Sequence, residues 1–143
     1  MSMEIDFRAI LASNAGVLAV VGNNPGPKPA TGPSIYPSTY ATGCAPPAIR
    51  YAKVTGAPGL HMGGTDGLSV DLMQIDVRAL TAASAFAVKD AVISKLHAFT
   101  GVQGTTDFRL IALRDDRGVQ FETTGQENFY TASLDFDVIS RAA

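Results

Sequence analysis

Residues 68–99 constrain the fold most strongly, because a strand pattern runs there directly into a helix pattern. The first part, SVDLMQIDVRAL, alternates apolar and polar residues, as a β-strand with one buried face does. The second part, TAASAFAVKDAVISKLHAF, repeats apolar residues at the three-and-four spacing of one helix face. Together the two parts predict a helix that covers a β-sheet.

The predicted helix has a continuous apolar stripe. The stripe consists of Ala85, Val88, Val92, Leu96 and Phe99, with Phe86 and Ile93 widening it. Thr81 is suited to cap the first turn, because its hydroxyl can accept a hydrogen bond from a free backbone amide. Gly101 is predicted to mark the end of the helix. His97 falls on the opposite, polar face.

The predicted strand changes phase near its middle. Apolar residues occupy even positions up to Leu72 and odd positions from Met73 onward. Such a change predicts a β-bulge or a change of buried face at this point. A strand buried on both faces at its start is the alternative interpretation.

Further elements follow from pattern and turn residues along the chain. Residues 5–22 are predicted to be helical, with Asp6 or Ser2 as the cap and a break at residues 14–16. Strands are predicted at residues 34–40, 48–56, 108–114, 119–123 and 128–139. Long loops rich in Pro or Gly are predicted at residues 23–33, 41–47 and 57–67. We therefore expect a single α+β domain over residues 1–143, with one mostly antiparallel sheet and two main helices on one face.

Three local features refine this expectation. Pro37 suits an edge strand, since a missing backbone donor costs little at an edge. Asp115 to Gly118 reads as a tight turn between two strands, because Asp binds its own backbone and Gly accepts positive φ. Residues 128–139 alternate cleanly, which predicts an antiparallel strand with one wet face that carries Asp135 and Asp137.

Composition excludes several classes of protein. The 143 residues carry a net charge of −2 and 46% hydrophobic residues. Scattered charge with this apolar content argues against disorder, and the net charge offers no basis for nucleic-acid binding. No apolar run approaches the roughly 18–20 residues of a membrane helix, and the start, MSMEIDFRAIL, lacks the pattern of a secretory signal. A lone Cys44 forms no internal disulfide, which favours synthesis in the cytoplasm.

No group of residues predicts catalysis, a metal site or a cofactor. His61 and His97 lie in different elements without partners at metal-ligand spacing. Asp71 and Asp76 are predicted on opposite sheet faces. Asp135 and Asp137 share a face, where paired charges typically deter strand association at a sheet edge.

Two loops invite a functional interpretation. Residues 23–33, NNPGPKPATGP, do not form a phosphate loop, because the prolines remove backbone donors and the Gly-Lys-Ser/Thr ending is absent. Residues 57–67, APGLHMGGTDG, exceed the usual hairpin loop of two to five residues. Leu60 and Met62 favour a contact that forms with a partner, and a loop without a role is the alternative.

The order of motifs resembles a known family. An N-terminal helix ends in AVVG, and a Pro-rich loop leads to IYP at residues 35–37. The strands PAIRYAKV and VDLMQIDVRAL, a helix and a closing YTASLDFDVI follow. This order is similar to that of the small tail-completion or tail-terminator proteins of long-tailed bacteriophages and gene transfer particles. The longer Gly-rich loop and the extended Pro-rich stretch depart from that pattern.

The resemblance implies a non-enzymatic protein without cofactors that caps the tail tube. It implies a homo-oligomeric ring, commonly a hexamer, which contacts the tail tube protein and a head-neck connector or head-closure protein. The implied location is the tail–neck junction of the virion, with the host cytoplasm during assembly. A connector adaptor or head-closure protein is the runner-up, and a small-ligand-binding or enzymatic domain is the alternative from another class. Interface residues are expected in the loops and beside them: Pro27, Lys28, Tyr36, Tyr40, Leu60, His61, Met62 and Asp66.

Overall fold

A computed structural model describes residues 3–21, 23–24, 32–37, 47–61, 64–124 and 127–142. The helices are α1 (Met3–Ala12), α2 (Ala15–Val20) and α3 (Ala82–Leu96). The strands are β1 (Asn23–Asn24), β2 (Gly32–Pro33), β3 (Ile35–Pro37), β4 (Ala48–His61), β5 (Gly64–Ala79), β6 (Phe99–Gln103), β7 (Thr106–Thr124) and β8 (Glu127–Ala142).

The main sheet has six strands in the order β3-β4-β5-β8-β7-β6. Its neighbours pair antiparallel, except that β3 pairs parallel with β4. Strands β1 and β2 form a separate antiparallel pair. The α+β class with a mostly antiparallel sheet is therefore confirmed. The edge position of β3, which ends at Pro37, is confirmed as well.

The hydrophobic core lies between the helices and one face of the sheet. On β5 and β8 its buried side chains are directly opposite partners, such as Met73 with Phe136 and Ile75 with Leu134. The helices contribute Phe7, Ile10, Leu11, Val17, Val88, Val92 and Leu96. Burying one such side chain stabilises the fold by roughly 1.5–3 kcal/mol. The sheet face that carries these residues is the helix-side face.

Helix α3 begins as predicted and ends earlier than predicted. The Thr81 hydroxyl accepts a hydrogen bond from the Ser84 amide at 3.1 Å. The helix ends at Leu96, Ala98 adopts a left-handed φ of 65°, and Phe99 begins β6. The expected end at Gly101 is therefore wrong, and β6 is a strand that the pattern did not predict. Phe86 is 47% exposed and does not extend the buried stripe.

The N-terminal helical segment breaks at the predicted place. Asn14 caps α2, and its side-chain oxygen accepts from the Val17 amide at 2.9 Å. The prediction of Asp6 as a cap is wrong, because Asp6 lies within α1 and is buried. Its carboxylate instead accepts hydrogen bonds from the Thr106 hydroxyl at 2.6 Å and the Thr105 hydroxyl at 3.1 Å. Asp6 thereby ties α1 to the turn between β6 and β7.

The predicted irregularity lies opposite Leu72 and Met73, on the neighbouring strand. Strand β5 pairs with β8 from Ser69 to Ala79 without a register shift. On its other side the register shifts between Lys53 and Thr55, which leaves Val54 as the extra residue of a bulge in β4. Within β5, buried and less buried side chains alternate without interruption. Asp71 faces the helix side like Met73, but because it is polar the apolar pattern did not predict its burial.

Residues 57–67 do not form the predicted loop. Strand β4 continues to His61 and β5 starts at Gly64, with Leu60 opposite Thr65 and His61 opposite Gly64. Backbone pairing thus reaches the tip of a segment whose glycines and proline indicated a loop, with a register shift between Pro58 and Leu60. Strand β4 thus ends, and strand β5 begins, within the segment that was predicted to be a loop.

The turn predicted at residues 115–118 is a bulge within the single strand β7. Gly118 has a φ of 76°, and its amide donates to the Asp116 carboxylate at 2.9 Å, so the expected local geometry is present. The chain nevertheless continues along β8, since Asp116 pairs with Leu134 and Val119 with Ala132. Lys89 on α3 holds Asp116 at 3.2 Å on the helix side. The strands predicted at residues 108–114 and 119–123 are therefore parts of one strand, β7.

A glycine pair tests the contact between Asp6 and the β6–β7 turn. Gly104 and Gly118 both have positive φ, but an added Cβ clashes with the Asp6 carboxylate only at Gly104. Gly118→Ala is expected to lower the free energy of unfolding by about 1–2 kcal/mol, the cost of a left-handed alanine. Gly104→Ala is expected to cost about 1–3 kcal/mol more, because the Asp6 hydrogen bonds are displaced. Urea unfolding measures both, and equal losses would contradict this role of Asp6.

Candidate assembly surface

The predicted interface residues separate into three groups. Pro27, Lys28, Tyr40 and Met62 lie outside the described residues. Leu60, His61 and Asp66 come together on the β4–β5 hairpin. Tyr36 lies near the other end of β4, opposite Arg50, and is only 4% exposed. The role of all eight residues at an interface stays a prediction.

The β4–β5 hairpin extends beyond the rest of the sheet. We call residues 58–61 with 64–67 the distal arm. Strand β8 accompanies β5 only as far as Ser69, so in the described part of the chain the arm is two-stranded. An isolated two-stranded hairpin is at best marginally stable in water. A partner that covers the arm would therefore gain from contacts that the monomer does not make.

A second two-stranded extension lies at the opposite end of the sheet. Residues 121–124 of β7 pair with residues 127–130 of β8, whereas the pairing of β5 with β8 ends at Tyr130. We call residues 121–124 with 127–129 the opposite arm. Phe121 is 59% exposed there, and its ring meets that of Tyr130 edge-to-face at 5.2 Å. An exposed aromatic ring at an arm is typical of contact surfaces.

The sheet face opposite the helices, the open face, carries a network of polar side chains. Asp76 accepts hydrogen bonds from the Ser133 hydroxyl at 2.6 Å, from Gln74 at 3.0 Å and from Arg50. Burial alone would raise the pKa of Asp76. The hydrogen bonds from Gln74, Ser133 and Arg50, with the charge of Arg50, outweigh burial and lower this pKa. Asp76 is thus held as a carboxylate.

The two aspartates expected at a sheet edge lie in its interior. Strand β8 runs between β5 and β7, so the prediction of an edge strand there is wrong. Arg117 donates two hydrogen bonds to Asp135, at 2.6 and 3.0 Å. Arg114 lies 3.4 Å from Asp137. Asp135 and Asp137 on the open face therefore form ion pairs with arginines of the same protein. The sequence pattern of β8 did not reveal these pairs, because Arg114 and Arg117 belong to the neighbouring strand β7.

An apolar row crosses the open face at the end nearer the distal arm. Ile139 of β8 is opposite Val70 of β5 on one side and Leu110 of β7 on the other. Val70 is 48% exposed and Leu110 is 38% exposed. Two exposed apolar side chains on either side of the half-buried Ile139 favour contact with another protein, although single exposed apolar residues are ordinary. The alternating pattern of β8 extended to Ile139 could have indicated this row.

We next consider the residues that the sequence analysis weighed for catalysis or metal binding. His97 is exposed at the end of α3, and its Nδ1 accepts from the Leu113 amide at 3.0 Å. Asp71 and Asp76 lie on opposite faces of β5, as predicted. The described residues contain no cluster of His, Cys, Asp or Glu able to hold a metal ion, and Cys44 lies outside them. An open cleft of about 290 Å³, which Asp71 helps to line, is a candidate site for a small ligand.

Comparisons with known proteins show the fold. None of the helices in the described ranges is long and apolar enough to cross a membrane. No protein-family model and no curated protein matches the sequence. Among solved structures, a chain of the virion of a native gene transfer agent particle is similar, with a TM-score of 0.72. The alignment covers 98% of this chain and 95% of that chain at 15% identity. The two chains therefore share a fold over nearly their whole lengths.

The Asp76 network predicts a loss of stability in acid. Because the folded state lowers the pKa of Asp76, its stabilising effect is present above the unfolded pKa and is lost as pH falls through the folded pKa. Asp76→Asn is expected to lower the free energy of unfolding at neutral pH by about 1–3 kcal/mol. Its stability should then depend less on pH in the acid range than that of the unsubstituted protein.

Urea unfolding across the acid range measures this difference. Asp90→Asn is the matched control, because Asp90 is exposed on α3. Parallel pH profiles for Asp76→Asn and the unsubstituted protein would show that Asp76 does not contribute to acid unfolding.

Proposed function

We propose that this chain is a non-enzymatic structural protein of a phage-like virion. The observation that carries the proposal is the shared fold, at a TM-score of 0.72 over 98% of this chain, with a chain of a gene transfer agent particle. The motif order from AVVG through IYP to YTASLDFDVI supports it independently. The absence of a metal-holding cluster among the described residues is compatible with a structural role.

The specific role that we propose is that of a tail terminator. The protein would cap the tail tube as a homo-oligomeric ring, with a hexamer as the expected size. One side of the ring would contact the tail tube protein, and the other a head-neck connector or head-closure protein. The protein would thus reside at the tail–neck junction of the virion, after synthesis in the host cytoplasm.

The architecture offers what a ring requires. A closed ring uses a heterologous interface, in which two different surfaces of each subunit meet. The distal arm and the opposite arm, which lie at opposite ends of the sheet, would serve as these two surfaces. The paired charges of the open face leave the apolar row of Val70, Leu110 and Ile139 as a further contact region. The rigid β5–α3 unit would hold these surfaces at fixed positions.

Electron microscopy of particles assembled without this protein tests the proposal. A tail terminator predicts tails of irregular, extended length that remain separate from filled heads. Tails of normal, uniform length joined to heads would contradict any essential role at the neck. Tails of normal length that fail to join heads would indicate a connector adaptor or head-closure protein instead. Labelling the protein in complete particles then locates it along the particle axis.

A substitution in the distal arm tests its role in assembly. Leu60→Ser combined with Met62→Ser is expected to leave the subunit folded and to weaken ring formation about tenfold or more, since apolar contacts would be lost. Sedimentation velocity measures the oligomer, and thermal unfolding measures the fold. Leu80→Ser is the control, because Leu80 is exposed at the other end of β5. Equal effects of the two variants, or unchanged infectivity, would contradict this role.

A further inference from the structure

A cleft at the base of the distal arm contains a carboxylate, that of Asp71, without a partner among the described residues. The cleft measures about 290 Å³ and lies between the start of α1 and the ends of β5 and β8. Its lining includes Glu4, Lys53, Ser69, Asp71 and Ser140. Asp71 is only 6% exposed, and no described residue supplies its carboxylate with a hydrogen bond or an ion pair. The carboxylate lines this open cleft, where a cationic ligand would supply the partner that the described residues do not.

Neither cation that lines the cleft forms an ion pair with Asp71. The Lys53 ammonium lies 3.6 Å from the Glu4 carboxylate, so this cation already has a partner. Arg141, which also borders the cleft, donates to Asp107 at 3.1 Å. Burial raises the pKa of Asp71, the charge of Lys53 lowers it, and that of Glu4 raises it, with burial as the largest cause. The cleft lining thus holds two cations and two carboxylates, and each cation forms an ion pair with a carboxylate other than Asp71.

Two serine hydroxyls complete a set of hydrogen-bond acceptors. Ser69 and Ser140 are directly opposite on β5 and β8, and Asp71 follows two residues after Ser69 on the same sheet face. A primary ammonium group has three N–H donors, which a carboxylate and two hydroxyls can accept. Calcium takes six to eight oxygen ligands and magnesium requires a near-octahedral set, so one free carboxylate and two hydroxyls suit them poorly.

We propose that this cleft binds a primary ammonium group, with Asp71 as its counter-ion and Ser69 and Ser140 as acceptors. The group comes from a lysine side chain of another protein subunit or from a free alkylamine. The position at the base of the distal arm favours a lysine, because a neighbour that covers the arm also reaches the cleft. Lys53, Lys89 and Lys95 already contact Glu4, Asp116 and Phe99 within this chain. Lys28 is the candidate from a second copy.

Binding of 1,4-diaminobutane to the purified full chain tests the site. Backbone amide NMR should show saturable shifts centred on Ser69, Asp71 and Ser140. Asp71→Asn should weaken binding about ten- to a hundredfold, and Ser69→Ala about fivefold. Asp90→Asn, which changes an exposed charge on α3, should leave binding unchanged. Thermal unfolding should show that Asp71→Asn remains folded, because it removes a buried charge.

Several outcomes would overturn the site. Unchanged amine binding in Asp71→Asn would show that the ligand lies elsewhere. Tetramethylammonium, which has the same charge and no N–H donor, must bind much more weakly, or the contact is only electrostatic. Tighter binding of Mg²⁺ than of the diamine would make this a metal site instead.

A second experiment identifies the source of the ammonium group. If the source is Lys28 of another copy, both Lys28→Gln and Asp71→Asn weaken self-association in sedimentation experiments. If the source is a free amine, neither variant changes self-association while diamine binding persists. Both results support the site. Only this second experiment rests on the proposed ring, so a failure of the ring hypothesis leaves the diamine titration as an independent test.

Discussion

The fold depends on the burial of one sheet face beneath α3. Met73 and Ile75 of β5, with Leu134 and Phe136 of β8, form a continuous apolar surface, and α3 covers it with Val88, Val92 and Leu96. Because side chains alternate along a strand, this single contact also determines which residues face solvent on the other side. The open face, with its ion pairs and apolar row, is a direct consequence of it.

Polar contacts hold the helices in place at the margins of the apolar core. Asp6 binds Thr105 and Thr106 and so attaches α1 to the β6–β7 turn, while Lys89 binds Asp116 and attaches α3 to β7. The buried Asp6 carboxylate tolerates few alternative geometries, since each lost hydrogen bond would leave a desolvated charge, whereas Asp116 is exposed. Asp71 differs from both, because the described residues leave its carboxylate unpaired at the base of the distal arm. The hydrogen bonds of Asp6 thus hold elements of the fold together, whereas no described contact gives Asp71 such a role.

Two extensions continue the sheet beyond its six-stranded centre. The two arms continue β-pairing beyond the six-stranded sheet, and in a monomer their outer edges have no strand beside them in the described part of the chain. Unpaired strand edges and exposed apolar side chains gain most from a partner.

The sequence by itself determined the elements with strong local signals: the β5–α3 unit, the Thr81 cap, the break at Asn14, the alternation of β8 and the α+β class. Each rests on period, capping or turn chemistry within a few residues. Tertiary structure decided the rest. Gly118 and Asp116 have turn geometry, yet pairing with β8 keeps β7 as one strand. Residues 57–67 resemble a loop, yet pairing of β4 with β5 makes them an arm. Ion pairs of the open face and the Asp71 cleft join residues far apart in the chain, and no local pattern encodes a contact whose two halves are positioned by the sheet.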